Sequence, residues 1–315
     1  MDLYNLGAVT WWESQCYYHA LAHLGREGLI ICYPSSPYVC LGLHDDLEQE
    51  IDRGYCRRYG IPIFRRETGG GVVYLDSQQI FFQLVLRRDN PKLPLRRHRY
   101  YKKFLQPAIG VYRQYGVPAE LKEPADIAAA GKKCSGNACG DVGECVAYVG
   151  NILLDFDFST MSHLLRVPYN KFREYLLLAM RNNMTTLKDW TDYRVPYEEL
   201  AAGLIKGFEI EWGELERKNV DEELQNKASE IYQYTQSSEW LMAPGRKYKE
   251  RRVKIAEGVN LLEKIITQEM SAIILLRDGI VEELYAFGKH CNNVQLNYGL
   301  IGKKWTDDLL ATICC

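Results

Sequence analysis

Arg65-Arg66-Glu67-Thr68-Gly69-Gly70-Gly71-Val72-Val73-Tyr74-Leu75-Asp76 is the stretch on which the reading of this chain turns. An apolar run ending at Phe64 enters two arginines, then three glycines, then a second apolar run. Three successive residues without Cβ let the backbone take positive φ and approach a ligand closely. An arginine beside such a loop supplies a planar donor fork that suits carboxylate or phosphate oxygens. The stretch matches neither the phosphate loop G-x-x-x-x-G-K-[ST] nor the dinucleotide fingerprint G-x-G-x-x-G. By itself it reads equally well as a hairpin tip with solvated arginines.

Outward from the glycines, short apolar runs broken by Gly, Pro and Asp predict strands at 29–33, 38–43, 61–64, 72–74 and 80–86. Helical spacing predicts helices over 10–27, 96–115 and 171–181, with a strand over 146–158 between the last two. The fold class is therefore α+β, a mixed α/β chain with a central mixed sheet. Residues 212–229 turn polar, which places a boundary there and predicts domains at 1–215 and 226–315. In the second, residues 252–259 alternate as a strand, and Asp278-Gly279 between 271–276 and 280–285 is a hairpin signal.

Composition narrows the function classes. The 315 residues carry 39 Lys+Arg against 41 Asp+Glu, a formal net charge of -2, which argues against a dedicated nucleic-acid binder. With 47% hydrophobic and 25% charged residues, disorder and low-complexity classes are excluded. No apolar run reaches the ~18 residues of a membrane span. The start, Met1-Asp2-Leu3-Tyr4-Asn5, has neither a basic region nor an apolar core, so a cytoplasmic protein without a secretory signal is expected. The ten cysteines are scattered and none has C-x-x-C spacing, so most read as buried small hydrophobes.

A second motif follows the first by some sixty residues: Asp126-Ile127, then Gly131-Lys132-Lys133-Cys134-Ser135-Gly136-Asn137-Ala138. A lysine among small residues brings its ammonium to a bound anion and neutralises charge developing at a phosphorus or carboxyl centre. Alone, Gly-Lys-Lys reads as an exposed turn.

Together the two motifs resemble the lipoate–protein ligase family, within the biotin/lipoyl ligase and octanoyltransferase fold. The likeness continues through Tyr148-Val149-Gly150-Asn151-Ile152-Leu153-Leu154-Asp155. Ser238-Glu239-Trp240, Arg252-Val253-Lys254-Ile255 and the stretch 296–313 resemble the ligases' C-terminal accessory domain, a smaller α+β unit. The resemblance implies that ATP and Mg2+ activate lipoate or octanoate as the acyl-adenylate. The acyl group then passes to a lysine of a lipoyl carrier domain, such as a 2-oxoacid dehydrogenase acyltransferase subunit or a glycine cleavage H protein.

On that reading Lys133 is catalytic, and Asp126 stands beside the nucleotide and its magnesium. Arg66, Thr68, Gly69, Gly70, Gly71, Val73, Asp76, Ser135, Gly136, Val149 and Gly150 bind the substrate. A monomer without nucleic-acid or membrane partners is expected. The chain departs from the family pattern at three places: Leu75-Asp76 stands for His-Asp, Ala125-Asp126 for Asn-Asp, and Val149-Gly150 for His-Gly.

Two rival functions stay open at this point. A transferase of the same fold would form a thioester on a pocket cysteine without ATP, with Cys145 and Cys139 as the alternative nucleophiles. The lost imidazoles and amide motivate a catalytically silent relative that only binds. Two further patterns have ordinary readings beside functional ones. Glu13, Cys16, His19 and His23 share one helix face with metal-ligand spacing, but their neighbours make a packed face, and no structural metal is expected. Lys92, Arg96, Arg97, Arg99, Lys102 and Lys103, interleaved with His98, make a solvated face that could also steer an acidic carrier.

Overall fold

Every position from Ile80 to Leu86 is apolar except Gln83, so this strand must be covered on both faces. A computed structural model, which describes residues 1–94, 96, 99–288, 291–295, 299–306 and 309, places it inside a six-stranded sheet. The chain divides into two compact units, Met1–Leu165 with Thr185–Arg246, and Arg166–Met184 with Lys247–Cys315.

The first unit opens with β1 (Asp2–Val9), α1 (Glu13–His23), β2 (Gly28–Pro34), β3 (Tyr38–Leu41), α2 (Leu47–Glu50) and α3 (Arg53–Tyr59). Next come β4 (Ile63–Arg65), β5 (Val73–Leu75), β6 (Gln79–Arg87), α4 (Tyr100–Phe104) and α5 (Gln106–Gln114). Then follow β7 (Ala119–Lys122), β8 (Asp126–Ala129), β9 (Lys132–Ser135), β10 (Asn137–Val142), β11 (Cys145–Leu153) and α6 (Phe158–Leu164). After α7 (Asn170–Asn183), which belongs to the second unit, the first resumes with α8 (Tyr197–Trp212), β12 (Glu216–Arg217), α9 (Glu222–Thr235) and α10 (Ser238–Leu241).

The main sheet has the order β10-β11-β6-β2-β1-β12. Its β10, β11, β6 and β2 each run antiparallel to the next, while β2, β1 and β12 run parallel, which makes the sheet mixed. Alternation along the strands sorts its side chains into two cores. Ile80, Phe82, Leu84, Tyr148 and Ile152 pack with Phe104, Tyr112, Leu204 and Phe208 from α4, α5 and α8. Phe81, Val85, Cys145 and Ala147 face the other way, against Cys16, Tyr18 and Leu21 of α1 and against Cys40, Phe64 and Leu75. These last three come from a small sheet of order β4-β3-β5.

The second unit is an antiparallel sheet in simple sequence order: β13 (Arg252–Ala256), β14 (Val259–Thr267), β15 (Met270–Arg277), β16 (Ile280–Gly288) and β17 (Cys291–Gln295). The hairpin at Asp278-Gly279 forms with φ of 50° and 78°, and Arg277 pairs with Ile280 across it. Leu262, Ile274, Leu276, Leu284 and Leu300 fill one face. On α7, Tyr175 meets Tyr285 at 4.3 Å between ring centroids.

Several sequence expectations shift. The helix over 96–115 is two helices, because Pro107 lacks the N–H that a continuous helix needs and instead opens α5. The strand over 146–158 ends at Leu153, and Asp157 caps α6 by accepting from Thr160 N at 2.9 Å. Strand 252–259 is the first arm and the turn of a hairpin. The polar stretch 212–229, where the sequence places a boundary, packs within the first unit: β12 pairs with β1, and α9 docks on α1, where Tyr17 Oη donates to Gln225 Oε1 at 2.7 Å. The contact division accordingly falls at Arg246, with residues 166–184 in the second unit. Arg97, His98, Cys314, Cys315 and parts of the stretch 296–313 lie outside the described residues.

Candidate active site

Two sheets face each other across the α1 side of the first unit, and a cleft opens between them. It is lined by Val73, Leu75, Phe81 and Val149, with Arg66, Cys40, Gln15, Gln83, Gly136, Asn137, Ala138, Gly150 and Asn151 around these apolar walls.

The glycine loop is built by Arg66. Its Nε and Nη2 donate to Gly69 O at 3.2 and 2.7 Å, Nη2 also to Gly71 O at 2.9 Å, and Nη1 to Cys40 O at 3.3 Å. The fork expected for a ligand's oxygens is thus occupied by the loop's own carbonyls, and the side chain is 5% exposed. Gly70, at φ 95°, has its carbonyl so near β3's end that a Cβ on Gly42 would lie 2.0 Å from it. Both approaches require residues without side chains. Arg65 is fully buried and stitches the loop's base to a later segment, donating to Leu43 O, Asp45 O, Leu241 O and Ala243 O.

α1 holds the loop from the other side. His19 accepts from Glu67 N at Nε2 (3.1 Å), so its proton sits on Nδ1 and is donated to Gln15 O at 2.8 Å. His23 Nε2 pairs with Glu67 Oε1 at 2.8 Å. Two of the four residues with metal-ligand spacing are therefore loop anchors, and no metal-binding cluster of three or more His, Cys, Asp or Glu occurs among the described residues. Burial depresses the His19 pKa to about 4. The unfolded chain thus binds the extra proton between that value and the ordinary ~6.5, and stability must fall as pH falls through this window. We expect about 2–3 kcal/mol less unfolding free energy at pH 4 than at pH 7 from this group. Denaturant titrations of wild type and His19→Gln check it: the wild-type decline should be the steeper, and parallel curves would contradict it.

The second motif forms a hairpin. β8 and β9 turn at Ala130-Gly131, and the ladder carries a bulge next to the pair Ala128–Lys133. Lys133 Nζ reaches Asp126 Oδ1 at 2.8 Å, with side-chain exposures of 18% and 5%. Neither lines the cleft, but β9 runs on through Ser135 to Gly136, which does. Ser135 Oγ donates to Asn151 O at 2.6 Å, Gly136 N to Asn151 Oδ1 at 2.7 Å, and Asn151 Nδ2 to Gln79 Oε1 at 2.7 Å. Gln79 Nε2 bonds Tyr74 O at 3.1 Å and Asp76 Oδ1 at 3.4 Å. One network thus links Ser135, Gly136 and Asp76, whose carboxyl burial pushes above the usual range. Gly150 is squeezed between Asn137 and Phe82: a Cβ there would lie 2.4 Å from Asn137 Oδ1.

Of the nominated residues, Arg66, Val73, Gly136, Val149 and Gly150 line the cleft. Thr68, Gly69, Gly70, Gly71, Asp76, Ser135, Lys133 and Asp126 stand behind or beside it. Cys145 is fully buried, its thiol pushed up by desolvation, and β11 carries it four residues, about 13 Å, from Val149. Cys139 packs against the opposite core. The cysteine at the cleft is Cys40. Sequence reasoning missed Gln15, Phe81, Gln83, Asn137 and Asn151. Their signal was parity: Gln79, Phe81 and Gln83 fall on one face of β6. Asn137 Nδ2 donates to Ala125 O at 2.9 Å, bringing an amide to the place where the family pattern has Asn.

Residues 11–209 match the family model described as the lipoyl protein ligase A/B catalytic domain. The lipoate-protein ligase LplJ of Bacillus subtilis is 26% identical over 189 residues, 60% of this chain and 56% of its own length. The octanoyltransferase LipM of Anoxybacillus flavithermus is 25% identical over 196 residues, 55% of this chain and 70% of its own. The chain spans little more than half the length of the first of these relatives. Among solved structures, a bi-partite lipoate protein ligase from Thermoplasma acidophilum, studied with its E2 lipoyl domain, superposes with a TM-score of 0.69. It is 24% identical and covers 79% of this chain and 98% of that one. Lipoate-protein ligase A bound with ATP gives a TM-score of 0.62 at 23% identity, covering 76% of this chain and 98% of that one.

Proposed function

The chain belongs to the lipoyl protein ligase A/B catalytic-domain family, and from that premise we propose that it is an ATP-dependent lipoate–protein ligase. It would activate lipoate or octanoate as the acyl-adenylate and pass the acyl group to a lysine of a lipoyl carrier domain. The observation that carries this is the Lys133–Asp126 pair on the β8–β9 hairpin, whose second strand leads into an apolar-walled cleft.

In the first step a carboxylate oxygen attacks the α-phosphorus of ATP, and pyrophosphate leaves. Two anions meet there, so a positioned cation is the main requirement. Lys133 supplies it, and Asp126 holds the ammonium in place beforehand. The glycine loop, fixed by Arg66 and His19, closes on the adenylate without side chains in the way. Val73, Leu75, Phe81 and Val149 enclose the acyl chain and exclude water. In the second step the carrier's amine attacks the acyl carbonyl, an amide forms and AMP leaves.

The absence of any cluster of three or more His, Cys, Asp or Glu among the described residues fits a cation held mainly by substrate phosphates, as Mg2+ commonly is. When bound, Mg2+ would neutralise phosphate charge, with Asp126 as its protein ligand. On this reading Met1–Leu165 with Thr185–Arg246 forms the catalytic unit, and the second unit is the accessory domain.

The likeness to octanoyltransferases keeps a cysteine route as the rival, and two thiols test it. Cys145→Ser and Cys139→Ser should retain more than half of wild-type acyl transfer, with no acyl adduct on either cysteine by mass spectrometry. A thioester at Cys145 or Cys139 would establish the transferase instead.

A further inference from the structure

One end of the cleft carries polar groups for which the two-step reaction has no use. β6 sets Gln79, Phe81 and Gln83 on the cleft side of the sheet. With a rise of ~3.3 Å per residue, Gln83 lies about 13 Å from Gln79. Gln79 belongs to the network of Asn151 and Gly136, at the end that adjoins Lys133. Gln83 belongs to the opposite end, beside α1. Between them the walls are apolar: Val73, Leu75, Phe81 and Val149. Leu75 and Val149 are the two positions where the family pattern has imidazoles, so the middle of this cleft has lost polar character while its far end has kept it.

Gln83 is 1% exposed, and its Nε2 donates to Ser14 O at 2.6 Å. Its Oε1 has no hydrogen-bond partner among the described residues. A buried amide carbonyl left unsatisfied is destabilising, so such a group in a ligand cleft calls for a donor. The nearest donors point elsewhere. Gln15 Nε2 is committed to Tyr38 Oη at 2.7 Å, and the Cys40 thiol is directed to Gln15 Oε1 and Leu41 O.

We propose that Gln83 determines specificity by reading a hydrogen-bond donor at the distal end of the acyl chain. The substrate class is then a medium-length carboxylic acid whose far end bears a hydroxyl or thiol, in preference to a plain alkyl acid. The inference rests on the acyl-binding reading of the cleft. A site built to hydrogen-bond a substrate discriminates strongly against the analogue without the donor, because its own buried group is left unpaired.

Calorimetric titration of wild type and Gln83→Leu with octanoate and 8-hydroxyoctanoate tests it, with acid-dependent pyrophosphate release measured in parallel. The expected result is at least tenfold tighter binding of 8-hydroxyoctanoate by wild type, and a reversed preference in Gln83→Leu. If circular dichroism shows that variant unfolded, Gln83→Met takes its place. Equal affinities in wild type, binding of neither acid, or a hydroxyl preference that survives the substitution would overturn the assignment. A donor preference in binding without pyrophosphate release from any acid would support the role of Gln83 while contradicting the ligase reading. Release that favours octanoate would do the reverse.

Discussion

Lys133→Ala is expected to lower acid-dependent pyrophosphate release by about 10²–10³-fold, the usual loss when a positioned charge-stabilising group is removed. The effect has two physical parts that can be separated. Lys133 supplies the cation at the phosphorus, and it also neutralises Asp126, which is 4% exposed. Taking the ammonium away from so buried a carboxylate should cost stability as well, by about 3 kcal/mol. The double substitution Lys133→Ala with Asp126→Ala removes the buried charge and should recover most of that stability. It should recover none of the activity. Denaturant midpoints and single-turnover rates on the three proteins read both parts. A single variant that is destabilised yet turns over at the wild-type rate would make the pair purely structural.

The second large effect belongs to Arg66. Its donors satisfy three carbonyls, of Gly69, Gly71 and Cys40, in a place where water has little access. Arg66→Met should therefore leave several buried acceptors unmatched and destabilise the first unit by about 3–5 kcal/mol. Before global unfolding the glycine loop should come loose, so amides from Gly69 to Val73 should exchange at least tenfold faster. Arg66→Lys should rescue neither property, since a point-like ammonium cannot span carbonyls on both sides of the loop. Hydrogen exchange that is unchanged in Arg66→Met would show that the loop is held by other contacts.

Much of this architecture is legible in the sequence because local rules suffice for it. The strands around β6 and the hairpin at Asp278-Gly279 follow from patterns within a few residues, and the glycine and lysine motifs are joined by their resemblance to one family. What was not legible depends on long-range partners. Arg66 beside three glycines reads as a ligand-binding fork, yet its partners include Cys40 O, twenty-six residues away along the chain. The polar composition of 212–229 reads as a domain boundary, but α9 needs only one apolar stripe, Leu224, Ala228 and Ile231, to dock on α1. β1 and the four-residue strands of the small sheet β7–β9 carry too little periodicity to stand out, whereas α8 does carry helical spacing at Leu200, Leu204, Phe208 and Trp212.

The candidate site divides in the same way. Glycines and a lysine announce themselves by type. The amides Asn151, Gln79 and Gln83 become informative only once strand parity puts them on one face of the sheet. Leu75, Ala125 and Val149, read as losses from a family pattern, are in the structure two pieces of apolar wall and a carbonyl bonded by Asn137. His19 and His23, which shared a metal-like spacing, tie Glu67 and so hold the loop.

The central claim is that this cleft forms an acyl-adenylate. Pyrophosphate release from ATP and magnesium, dependent on lipoate or octanoate and with no carrier added, measures it most directly. The account predicts release with at least one of these acids and its loss in Lys133→Ala. Well-folded protein that releases no pyrophosphate with either acid would contradict it.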